Sequence, residues 1–219
     1  ILSSAASDVY KRQGYGSAAR FVAHAFQGDD AEMRSLKGIK INVLMGRHAG
    51  WLTAASTLGK SSEEDGPHLV YLPEKPFEVD GFVKDIRSVY ESLGRCVVAV
   101  SEGIQSSEGE YFLQTYAKNA GSSLAGQKDS HGNIQLSGSG LLGDTLASIV
   151  NENIEKARVR ADTFGYLQRS FIADVSEVDA DEAERVGIHS VKASKHLDSG
   201  SIILKRQFSE KYYCDVAVS

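Results

Sequence analysis

Cysteine is scarce in this 219-residue chain. Only Cys96 and Cys214 are present, one in an expected buried strand and one in the C-terminal tail, so the sequence offers no disulfide framework and no zinc site. A reducing cytoplasm fits that usage. Long apolar runs are lacking too: none reaches the roughly 18 residues needed to span a bilayer, and the first residues do not follow the basic-then-apolar order of a signal peptide. Nor is there a surplus of positive charge. A net charge of −5 without a polybasic face argues against nucleic acid or an anionic membrane as partner, whereas a small anion needs only a few local arginines. No internal repeat is found. The acidic run Glu63-Glu64-Asp65 lacks the spacing of a cation cage and reads as a solvated loop.

What is present is an alternation. At 42% hydrophobic content the chain can bury one large core, and one is expected. Residues 1–13 show no period; they resemble translated adapter read-through and are set aside as a non-native scar, with the natural chain continuing upstream of Gly14. Gly14-Tyr15-Gly16-Ser17 opens a helix with Ser17 as its cap and Phe21, Val22, Ala25 and Phe26 on one face. Strands are expected over 39–45, 68–72, 96–101 and 201–206, and helices over 50–59, 79–93, 143–157 and 179–197. Gly94 closes the 79–93 helix, and Asp179 with Glu182 makes a capping-box-like start to the last. Such alternation indicates an α/β fold with a doubly wound, mostly parallel sheet. The stretch 105–140, rich in Ser, Gly, Gln and Asn, reads as a loop or lid.

Two stretches carry candidate chemistry. The first is Met45-Gly46-Arg47-His48-Ala49-Gly50-Trp51, where a β-branched run ends in a glycine and a cation before a small-residue helix. In an open α/β sheet such a corner lies at the carboxyl end of a strand, where ligands bind and glycine permits close approach. An ordinary βα turn with a solvated arginine fits the same spacing. Two further strand ends, Leu72-Pro73-Glu74 and Ser101-Glu102-Gly103, face the same crevice. The second stretch, residues 156–169, gathers Arg158, Arg160, Arg169, Tyr166 and Gln168, forked donors and a phenol suited to a phosphate monoester and hydroxyls. A charged edge strand followed by a turn is the alternative.

Met-Gly-Arg at 45–47, Tyr-Leu-Pro-Glu at 71–74, Val-Ser-Glu-Gly at 100–103 and Arg-Ala-Asp-Thr-Phe-Gly-Tyr-Leu-Gln-Arg at 160–169 together resemble the ordered motifs of the 6-phosphofructokinase family. With His-Ala-Gly-Trp-Leu after Met-Gly-Arg, the resemblance is to its diphosphate-dependent branch, and it covers residues 14 to about 206. It implies a Rossmann-like fold of the phosphofructokinase type and the glycolytic transfer of a phosphoryl group from diphosphate, or from ATP, to the 1-hydroxyl of fructose 6-phosphate. Mg2+ and a homo-oligomer, dimer or tetramer, are implied with it. Position by position, Met45 and Gly46 would lie against the sugar, Arg47 would neutralise the transferring phosphoryl, and Glu74 would accept from sugar hydroxyls. Arg160, Tyr166 and Arg169 would hold the 6-phosphate, Arg160 from a neighbouring subunit.

Departures from the family pattern accompany the resemblance. Tyr166 stands where a histidine is common, and Gly38, between Lys37 and Lys40, stands where ATP-dependent bacterial members place an arginine, which a lysine would replace. The family's glycine-rich donor loop and its Thr-Ile-Asp-Asn-Asp segment, with the catalytic base and the donor-discriminating residues, are not in this sequence. The expectation is therefore an acceptor-site part, residues 14–219, without turnover alone. A non-catalytic phosphosugar-binding regulatory subunit is the competing class. A second competitor is internal: Gly138-Ser139-Gly140-Leu141-Leu142-Gly143 fits G-x-G-x-x-G, yet what precedes it is too polar for a buried strand, which favours a loop capping the next helix. His24 and His131 read as structural or solvated, Trp51 as packing on the sheet, and His48 has no assigned role.

Overall fold

The computed structural model describes residues 2–3, 14–119, 140–208 and 210–219. Two compact units emerge rather than the single core expected: Phe21–Ser170 forms one, and residues 1–20 with Phe171–Ser219 form the other. The second unit has its own apolar centre of Val186, Ile202, Leu204 and Cys214, which is why it separates.

The larger unit is a four-stranded sheet. Strand β2 (Gly38–Leu44) lies at its middle, paired in parallel with β4 (Arg95–Ser101) on one side and with β5 (Val159–Thr163) on the other; β3 (Leu69–Tyr71) closes the far edge beside β4. All seven residues of β2 and of β4 are buried. Near-continuous apolar strands are what a sheet covered on both faces requires. Strand alternation then sorts the side chains. Ile39, Ile41, Val43, Cys96, Val98 and Val100 join one core with α3 (Val79–Leu93), α4 (Phe112–Asn119) and α5 (Leu141–Asn153). Leu44, Val97 and Ala99 turn the other way, to Val22, Phe26 and Met33 of α1 (Tyr15–Leu36). Helices on both faces make the sheet doubly wound, as expected. Gly94, at φ 67°, ends α3 with its N–H on the Tyr90 carbonyl, also as expected.

Several local expectations are corrected. Helix α4 stands inside the stretch read as a loop, because Phe112 packs on Phe77 with ring centroids 4.9 Å apart; residues 120–139 lie outside the described residues. Helix α5 begins at Leu141 and stops at Asn153, and β5 follows from Val159. In the smaller unit the last helix, α6 (Glu177–Ala193), starts two residues earlier than Asp179. Asp179 does not cap it. Its Oδ2 accepts from the N–H and the hydroxyl of Ser17, at 2.6 and 2.7 Å, so Ser17 and Asp179 tie the start of α1 to α6, and neither performs the capping expected of it. Glu182 accepts from the Tyr212 hydroxyl at 2.9 Å. Cys214 is the buried first residue of a strand, β7 (Cys214–Val218), antiparallel to β6 (Gly200–Arg206), while β1 (Leu2–Ser3) pairs with the other edge of β6.

Candidate active site

The carboxyl ends of β2, β3, β4 and β5 face one way because all four strands are parallel. After β2 the chain turns through Met45, Gly46 and Arg47. Gly46 has φ +146°, and a Cβ there would sit 2.7 Å from the Ala49 carbonyl oxygen, so only glycine fits. Strand β4 ends against this turn. The Ser101 hydroxyl donates to the Gly46 carbonyl at 2.5 Å, the Gly46 N–H donates to Glu102 Oε1 at 3.2 Å, and the Glu102 N–H continues the strand ladder to the Leu44 carbonyl at 2.9 Å. Gly103 has no room for a side chain. A Cβ on it would come within 2.1 Å of the Arg47 carbonyl oxygen.

Glu74, following β3, meets the other end of the same turn: its Oε1 accepts from the Gly50 N–H at 2.7 Å, where Gly50 is the N-cap of α2 (Trp51–Ala55). A carboxylate at a helix N-terminus is favourable. The loop after β3 is tied to the loop after β4 by the Gln105 side chain, which donates to the Pro73 carbonyl at 2.8 Å, and by the Phe77 N–H on the Gln105 carbonyl at 2.8 Å. On the far side, the Phe164 N–H extends the β5 ladder to the Val43 carbonyl at 3.0 Å, and its ring packs on Phe21 and Phe26. Tyr166 and Arg169 come directly afterwards on an exposed turn, the Arg169 guanidinium lying over the Tyr166 ring at 5.7 Å. Gln168 is buried beneath them, its amide donating to the Gly165 carbonyl at 2.6 Å.

Arg160 is placed elsewhere. It is exposed on β5 and stands opposite Lys40, five residues before Met45 along the strand direction, or about 16 Å from the crest at roughly 3.3 Å per residue. The structure thus gathers Met45, Gly46, Arg47, Glu74, Tyr166 and Arg169 on one edge of the sheet and leaves Arg160 away from it. Residues 159–163 are an edge strand followed by a turn, so the bland reading of that stretch describes its backbone. Lys40 is not a free replacement for an arginine at Gly38: it is buried and paired with Asp162. Beside it Asn42 donates to Asp29 at 2.5 Å, and burial pushes the Asp29 carboxyl above its usual value.

Other single residues differ from expectation in instructive ways. Trp51 does not pack on the sheet; it is 73% exposed at the start of α2. His48 acquires a partner, its Nδ1 lying 3.2 Å from the Tyr111 hydroxyl, which no spacing rule could show. Asp65 of the acidic run is structural, because the Ser61 N–H, the Ser62 hydroxyl and the Ser62 N–H pull its carboxyl down to about 2. Gly140 at φ 66° is the N-cap of α5, and a Cβ on Gly143 would be 3.1 Å from that of Ala161, so these glycines serve helix capping and close packing; Gly138 and His131 lie outside the described residues. Ser101 and Glu102 are functional candidates that sequence reasoning quoted in a motif without assigning a role. The sequence shows a serine and a carboxylate at a strand end, followed by glycine, but not that this end lies against the Met45–Arg47 turn.

A sequence model described as Phosphofructokinase matches residues 7–194. The chain belongs to the phosphofructokinase family. A pyrophosphate--fructose 6-phosphate 1-phosphotransferase of Rhodospirillum rubrum is 50% identical over 194 residues, covering 88% of this chain and 46% of that protein. A sulfofructose kinase of Alkalicoccus urumqiensis is 30% identical over 193 residues, covering 87% of this chain and 46% of the other. Among solved structures, a pyrophosphate-dependent phosphofructokinase from Marinobacter aquaeolei superposes with a TM-score of 0.68 at 25% identity, over 94% of this chain and 46% of that one. This phosphofructokinase-family chain spans about half the length of the curated relatives it matches. Among the described residues, no helix is long and apolar enough to cross a membrane.

Proposed function

We propose that this chain forms the acceptor-site part of a cytoplasmic, diphosphate-dependent 6-phosphofructokinase. The observation that carries the reading is the Met45–Arg47 turn, fixed at the carboxyl edge of a parallel sheet by Ser101, Glu102 and Gly103 and flanked by Glu74, Tyr166 and Arg169. In the reaction, the 1-hydroxyl oxygen of fructose 6-phosphate bonds to the terminal phosphorus of diphosphate, the bridging P–O bond breaks, and orthophosphate leaves. The hydroxyl proton goes to a carboxylate base supplied from outside this chain.

Such a transfer is mostly positioning and charge stabilisation. Met45 and Gly46 lie against the sugar, where the absence of a side chain at Gly46 permits close approach. Arg47 offsets the charge of the transferring phosphoryl, and Glu74 accepts from sugar hydroxyls beside its bond to Gly50. Tyr166 and Arg169 hold the 6-phosphate. Arg160, set back from the edge in its own subunit, completes the site of a neighbouring copy in a dimer or tetramer. Phosphofructokinase-family enzymes generally use Mg2+. In this reading the ion arrives with the diphosphate; among the described residues no three His, Cys, Asp or Glu side chains converge to hold a metal.

The test has two parts. Isothermal titration should show fructose 6-phosphate binding to the 219-residue chain, with no turnover. Joining the chain to the upstream half of its Rhodospirillum rubrum relative should give fructose 1,6-bisphosphate with diphosphate as donor and not with ATP. Turnover by the chain alone, or wild-type rates after Arg47→Ala in the joined protein, would defeat the proposal. Binding without any turnover in the joined protein would favour a regulatory subunit.

A further inference from the structure

Glycine at position 46 creates a difficulty that its neighbours must resolve. Close approach at the turn requires the missing side chain, yet glycine leaves the two peptide planes beside it free to rotate. Each plane has a tether. The Met45–Gly46 plane is held through the Gly46 N–H on Glu102, and the Gly46–Arg47 plane through the Gly46 carbonyl on the Ser101 hydroxyl. The direction in which Arg47 leaves the backbone follows from the second plane.

We propose that Ser101 is a positioning residue whose hydroxyl sets the path of the Met45–Arg47 turn. Three observations agree. Ser101 is the last residue of β4 and is wholly buried, so its hydroxyl has no competing solvent. The Gly103 N–H donates to Ser101 Oγ at 3.2 Å and occupies a lone pair, so the single hydroxyl proton goes to the Gly46 carbonyl, at 2.5 Å. Finally, Gly103 brings its own backbone against the Arg47 carbonyl, closing the turn from the other side. One side chain therefore couples two glycines on neighbouring strand ends. Its role in orienting Arg47 rests on the function proposed above; its role in fixing the turn does not.

Amide exchange by NMR on the full chain separates the two. In Ser101→Ala the Gly46 amide, whose partner Glu102 is untouched, should exchange about tenfold faster while the amides of Val97–Val100 keep their protection. Fructose 6-phosphate binding, followed through the emission of the single tryptophan, Trp51, should weaken by about tenfold, and Ser101→Thr should restore both measures to within about threefold. Unchanged exchange at Gly46, or equal acceleration throughout β4, would overturn the assignment. A wild-type chain that does not respond to fructose 6-phosphate would remove the functional reading, and the exchange measurement would still decide Ser101. Should Ser101→Ala not fold, Ser101→Cys, similar in size and a weak donor, carries the same comparison.

Discussion

The two halves of the sheet edge are built differently. On the β2 and β4 side, Met45–Gly50 is fixed by Ser101, Glu102 and Glu74, with two glycines that admit no side chain. On the β5 side, Tyr166 and Arg169 stand exposed on a turn, in contact with each other. The difference matches what each half must do in the proposed reaction. A group at the reacting atom gains from rigid placement, whereas long cationic side chains reach a phosphate from a range of positions.

That contrast can be broken at its rigid side first. Gly103→Ala should cost about 2–3 kcal/mol in urea unfolding and abolish fructose 6-phosphate binding, because a methyl group against the Arg47 carbonyl forces the turn to move. Arg169→Ala should do the reverse, leaving stability within about 0.5 kcal/mol while weakening fructose 6-phosphate binding at least about tenfold in a titration. A stability loss there equal to that of Gly103→Ala would erase the distinction.

A smaller effect lies behind the rigid half, where His68 extends the β3–β4 pairing. Its Nδ1 accepts from the Val97 N–H at 2.9 Å and its Nε2 faces the Glu64 carbonyl at 3.2 Å, so the ring is neutral with its proton on Nε2. Burial chiefly pushes its pKa below the ordinary 6.5, against the pull of Asp30. The unfolded chain therefore binds the proton first as pH falls. Stability should decline from about pH 6.5 downward, until the pH reaches the depressed native value, and His68→Asn should flatten that decline in urea midpoints measured between about pH 7 and 5. Smallest of all, Arg160→Ala should change neither the stability of the isolated chain nor its fructose 6-phosphate affinity; in the assembled, joined enzyme it should raise KM. A large loss of affinity in a verified monomer would place Arg160 in its own subunit's site.

The parts of the fold legible in the sequence were those whose neighbours are local or uniformly apolar. Strands β2 and β4 announce themselves because both faces are covered, and α3 because its apolar positions step by three and four before Gly94. Strand β5 hides its pairing: Arg160 and Asp162 alternate with Val159 and Ala161, a pattern that suits an edge and says nothing of which strand it joins. Helix α4 depends on Phe77, far off in sequence. Asp179 and Glu182 have the spacing of a capping box, but Ser17 and Tyr212 claim them instead. At the site, Met45, Gly46 and Arg47 were readable from strand, glycine and cation in succession. Ser101 was not, since the order of residues cannot tell which strand end lies against which.

The sheet order also has a consequence for how the chain is made. The strands that flank β2 both arrive later in the chain, β4 after β3, and β5 last of all. During synthesis from the N-terminus, β2 waits with its ladder unpaired on both sides and then on one, and an open apolar strand edge is a template for joining the wrong chain. Growth of the nascent polypeptide past Thr163 is therefore the point at which the buried central strand has a partner on both sides.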